Sequence, residues 1–126
     1  MLRVVGVQPH ESEGLEFVLL QNQGHMRLIL RGHAVLSETA ISSCNMSNAG
    51  HIFSEEESIG PGLFVMLSTG CGEPHWGRTK DGAYVFHAYM NRRTPVWLHC
   101  LGPLHVLGVQ HTYVDRSSKI EYLVAK

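Results

Sequence analysis

Apolar residues along this chain come in short runs, each closed within about eight residues by a glycine, proline or asparagine cluster. Leu2 to Gln8 is rich in valine and stops at Pro9, which predicts a first strand at a sheet edge. Leu15 to Gly24 is the clearest stretch. Phe17 and Leu19 fall on one side of a strand and Val18 and Leu20 on the other, and Asn22 and Gly24 close it. Apolar residues on both sides predict a central strand covered, at least partly, on both faces. Met26 to Leu30, His33 to Leu36, Leu63 to Leu67, Ala83 to Tyr89, Val96 to Cys100, Leu104 to Gln110 and Ile120 to Val124 read as further strands, and His51 to Phe53 as a brief one. Ser37 to Gly50 and Ser68 to Gly82 are polar and non-periodic, and both read as long loops. Ile59-Gly60-Pro61-Gly62 is a turn signal.

About eight to ten short strands with no convincing amphipathic helix predict an all-β sandwich or barrel. At 126 residues the chain fits one domain spanning 1–126. No segment approaches the roughly 20 apolar residues of a membrane span. The first residues form too short an apolar run for a signal peptide. Cys44, Cys71 and Cys100 are odd in number and widely spaced, unlike a secreted disulfide framework. The expectation is a soluble cytoplasmic protein, with the sequon Asn45-Met46-Ser47 a chance match.

Charge narrows the function classes. The formal net charge is −1, so no global basic field gathers nucleic acid. Nine histidines would carry it to +8 in mild acid. Charged residues make up only 17% of the chain, which favours a partner or self-association surface. Glu55-Glu56-Glu57 reads as a solvated turn.

The order of several segments resembles the lamin-tail domain family, in its short prokaryotic form. Glu16-Phe17-Val18-Leu19-Leu20-x-Asn22-x-Gly24 is similar to that family's opening strand. Leu28-x-Leu30-x-Gly32, then Phe53 with Ile59-x-Pro61-Gly62-x-Phe64-Val65, then Trp97 with Leu104 to Val109, resemble its later strands. His33 stands where the family has tryptophan, and Leu98 to Pro103 replaces its asparagine-glycine-aspartate turn. The resemblance covers roughly residues 14–113. It implies an immunoglobulin-like β-sandwich and a non-catalytic interaction module.

Cys71, His75, His99 and Cys100 carry zinc-ligand atoms but lack paired zinc-site spacing. Serines, Asp81 and Asp115 are present without a nucleophile elbow, and Cys100 reads as a small buried residue. No cofactor, metal or catalytic residue is expected. Aromatic and basic residues gather instead in and after the second long loop: Trp76, Arg78 and Lys80, then Arg92 and Arg93. These five form the candidate interaction surface, because tryptophan and arginine dominate binding hot spots. The expected partner is a protein or a second copy of the chain. A weak single-stranded nucleic-acid contact is the alternative, because basic groups interleaved with Trp76, Tyr84 and Tyr89 can form a stacking platform. A small hydrolase or zinc enzyme is the least favoured alternative.

Overall fold

A computed structural model describes residues 1–43, 50–100 and 102–108. Among these the fold is all-β. Ten strands and one short helix run in the order β1 (Leu2–Gln8), β2 (Phe17–Asn22), β3 (Leu28–Ile29), β4 (Ala34–Ser37), α1 (Glu38–Ser43), β5 (Gly50–Ile52), β6 (Ser58–Ile59), β7 (Phe64–Ser68), β8 (His75–Arg78), β9 (Tyr84–Tyr89) and β10 (Leu104–Leu107). The larger layer is a five-stranded sheet, β1-β2-β7-β9-β8, and the facing layer is a three-stranded sheet, β10-β4-β5; a small β3-β6 pair completes the described strands. All pairings are antiparallel except β7 with β9.

β2 sits between β1 and β7, as its sequence predicts. One face carries Glu16, Val18, Leu20 and Asn22, all fully buried; Phe17, Leu19 and Gln21 on the other are half-buried. Val18 and Leu20 join Val65, Leu67, Phe86 and Ala88 of the same sheet, Val35 of β4, and Leu30, Phe53, Ile59 and Trp97 in one core. Fully burying one aliphatic side chain contributes roughly 1.5–3 kcal/mol, so this cluster is the main favourable term in folding.

Asn22 ties down one end of β2. Its Oδ1 accepts from the Met1 nitrogen and the Gly24 N–H, both at 3.0 Å, and its Nδ2 donates to the carbonyls of Met26 and Ile59, both at 2.9 Å. The neighbouring Gly60–Leu63 turn closes with Leu63 N–H donating to Gly60 O. Gly62 takes φ 81° there, the position of a type II turn that favours glycine, behind Pro61.

Three expectations need correction. Ser37 to Gly50 does not begin as a loop: Ser37 Oγ accepts from Ala40 N–H at 3.1 Å and starts α1, which covers Ala34 and Leu36 so that β4 is buried on both faces. Ser68 to Gly82 contains β8. Val96 to Cys100 is a turn rather than a strand, because its first amides bond to a side chain, as described below. The end of Leu104 to Gln110, all of Ile120 to Val124, and Asp115 lie outside the described residues, as do Cys44 and the sequon.

Candidate functional site

Two buried or edge features stand out, one structural and one available for contact. The first is Glu16, just before β2 and 0% exposed. Its Oε1 accepts from Thr69 Oγ1 at 2.7 Å, Val96 N–H at 2.8 Å and Trp97 N–H at 3.1 Å. Its Oε2 accepts from Leu98 N–H at 3.0 Å and His10 N–H at 3.4 Å. Burial by itself raises a carboxyl pKa, but the bonds from Thr69, Val96, Trp97 and His10 outweigh it and hold Glu16 below its ordinary value. This carboxylate replaces a neighbouring strand as the acceptor for residues 96–98. With both oxygens engaged and the group closed off from solvent, it clasps the chain.

The second feature is β8, the last strand of the five-stranded sheet. His75, Trp76, Gly77 and Arg78 lie opposite His87, Phe86, Val85 and Tyr84 of β9. Trp76 is 37% exposed; its ring packs 5.3 Å from Phe86 and its Nε1–H donates to Glu57 Oε2 at 3.1 Å. Arg78 sits over the Tyr84 ring, 4.6 Å from its centroid, and donates to the Tyr84 hydroxyl. Trp76 and Arg78 therefore share the core-side face at the sheet margin. On the opposite face the His75 and His87 rings stack at 4.7 Å, with Tyr89 6.2 Å from His75. His75 Nδ1–H donates to the Glu73 carbonyl at 2.8 Å. Burial, then the neighbouring His75, pushes His87 below its ordinary pKa.

The backbone of β8 has an orientation that can be read from its end. Thr79 N–H donates to Ala83 O at 2.9 Å, so Thr79 faces β9. Orientation alternates along an antiparallel strand, so Gly77 and His75 also face β9, while the N–H and C=O of Trp76 and Arg78 point away from it. Both residues are exposed, and among the described residues no strand lies on that side.

The five candidate residues do not form one patch. Trp76 and Arg78 are on β8, and exposed Lys80 is in the turn after it. Arg92 and Arg93 follow the far end of β9, roughly 15–20 Å away at strand rise. Arg92 N–H bonds Thr69 O, and its guanidinium reaches the Gly50 carbonyl at 3.5 Å. Burial and then the Arg92 charge push His51 down to about 4. Arg93 is exposed.

Of the zinc-type residues, Cys71 and His99 are exposed, His75 stacks on His87, and Cys100 Sγ donates to Val96 O at 3.1 Å. Among the described residues no three such side chains come together. In the acidic run, Glu56 pairs with Arg31 at 2.6 Å and Glu57 with Trp76. An apolar hollow of about 270 Å³ lies on the outer face of the large sheet, lined by Leu19, Phe64, Met66, Thr79, Asp81, Ala83 and Val85. It offers few polar groups to orient a ligand.

The β8 edge was hidden in the sequence because only four residues separate Pro74 from the Thr79 turn. The one available signal was Trp76 and Arg78 at period-two spacing. No family model, curated protein or solved structure matches the chain.

Proposed function

We propose that this chain is a non-catalytic β-sandwich interaction module that binds a protein partner by adding an extended segment to the β8 edge. The outward backbone groups of Trp76 and Arg78 carry this reading, because they present paired donors and acceptors beside a tryptophan and an arginine. Strand addition takes its affinity from such main-chain bonds and its specificity from the alternate side chains. The resemblance to the lamin-tail family, whose members are mostly binding modules with an immunoglobulin-like fold, points the same way. The other edge of the five-stranded sheet, β1, carries a register shift between Val4 and Gly6, a bulge of the kind that discourages pairing. β8 has none, and its arginine is turned over Tyr84 rather than out along the edge.

Selection of extended peptides from a displayed library tests the module. Peptides that bind the wild type and lose binding to Arg78→Pro support it, since proline removes an outward N–H and leaves the β9 side intact. A monomeric chain from which selection yields no peptides, or peptides indifferent to Arg78→Pro, overturns it.

A further inference from the structure

The chemistry of the β8 edge fits one occupant closely, a second copy of itself. We propose that two chains pair β8 to β8 in antiparallel fashion, with the two-fold axis at Gly77, to make one continuous ten-stranded sheet. This rests on the β8-edge reading above and goes further by naming the partner.

Register decides the matter. If the core-side face is to stay continuous across the junction, residues of like face must meet. Three registers then bring β8 against β8. With Trp76 opposite Trp76 of the second copy, Arg78 meets Pro74, which has no N–H to give. With Arg78 opposite Arg78 of the second copy, two like charges face each other directly, and Trp76 meets Lys80 beyond the strand.

With Gly77 at the axis, Trp76 lies opposite Arg78 of the second copy, and Arg78 opposite Trp76. Both outward-facing residues of each strand then sit in hydrogen-bonded pairs, so every free N–H and C=O of β8 is used. The same register sets each guanidinium, already over Tyr84, beside a half-exposed indole, a cation–π arrangement made twice by symmetry. Gly77 suits the axis. A Cβ there would come 3.0 Å from His87 Nε2, so this face of β8 is kept flat where the copies cross.

Sedimentation of the full chain across a concentration series tests the pairing. The wild type should show a reversible monomer–dimer equilibrium. Trp76→Arg sets arginine against arginine twice and should weaken association at least about tenfold. The double variant Trp76→Arg/Arg78→Trp exchanges the partners and should restore it to within about threefold. In a Cys44→Ser/Cys71→Ser background, Gly77→Cys should cross-link to a covalent dimer on mild oxidation, because residues at the axis form a non-hydrogen-bonded pair about 4.5 Å apart. Asp81→Cys in the same background should not.

A dimer indifferent to Trp76→Arg overturns this pairing, as does a Gly77→Cys variant that still dimerises with wild-type affinity yet is not trapped on oxidation. A wild type that stays monomeric yet captures library peptides in an Arg78→Pro-sensitive way overturns self-pairing alone. A monomer that captures nothing overturns both readings.

Discussion

Glu16→Gln should destabilise the fold far more than a one-atom exchange suggests. The glutamate accepts five hydrogen bonds, from Thr69, Val96, Trp97, Leu98 and His10. Hydrogen bonds to a charged group contribute about 1.5–3 kcal/mol each in isolation, but they do not sum. Glutamine can keep its oxygen toward Thr69, Val96 and Trp97. Its NH₂ must then face the N–H groups of Leu98 and His10, donor against donor, in a site with no exposure. Losing the charge and leaving a buried donor unpaired should cost about 3 to 5 kcal/mol, within the range for breaking a buried charged network. That is a large share of the ~5–15 kcal/mol by which domains are stable. It should lower the melting midpoint by about 10 °C or more.

Urea unfolding followed by tryptophan fluorescence suits the measurement, since Trp97 is 2% exposed and its amide binds Glu16. Glu16 is held below its ordinary value of 4.5 in the folded chain. Below that pH the unfolded chain takes up the proton first. The clasp is at full strength above about pH 4.5 and is lost as pH falls through the lowered folded-state value. Glu16→Gln should therefore flatten the acid limb of the stability profile. A variant within about 1 kcal/mol of wild type, with the acid limb unchanged, would refute the view that this carboxylate holds residues 96–98 in place.

The remaining predictions concern other positions. His51 is held near 4 against an ordinary 6.5, so the folded state resists a proton that the unfolded chain accepts. Stability should fall as pH drops from 6.5 towards 4, by up to ~3 kcal/mol from this residue, and His51→Gln should remove that part of the slope in denaturant titrations at stepped pH. Asn22→Asp sets a carboxylate against the Met26 and Ile59 carbonyls and should cost more than Asn22→Ala, itself about 2–3 kcal/mol, in thermal unfolding at neutral pH. Gly62→Ala meets nothing within 4 Å, so it should cost only the left-handed backbone, about 1–2 kcal/mol, and Gly62→Asn less.

The central place of β2 was legible because burial on both sides leaves apolar residues at odd and even positions alike. The glycine-proline turn was legible because its conformation demands those residue types. The failures share a cause. Val96 to Cys100 has the composition of a strand, yet its first amides are taken by Glu16, some eighty residues earlier in the chain. No local pattern records that bond. α1 is short and takes its place from the Ser37 cap and the β4 face it covers, not from periodicity. Residue type alone marks the candidate surface in the sequence. Trp76 and Arg78 do come together, but Arg92 and Arg93 are carried to the far end of β9 by the strand that separates them.

Glu16 and Asn22 also bear on where contact is made. They stand at the two ends of one buried face of β2, and between them they bind the chain before β1, the turns on either side of β7, and the segment after β9. The side chains of Glu16 and Asn22 are thus matched within the chain. Across the same sheet, the backbone groups of β2, β7 and β9 are consumed by neighbours on both sides, and β1 is bulged. Among the described residues, what remains of this sheet is the outer side of β8, beside β9, which is anchored in the core through Phe86 and Ala88. A free edge on a rigid strand loses little conformational entropy when a second strand is added to it. Among the described residues of the large sheet, the regular unpaired edge is therefore the one that carries Trp76 and Arg78.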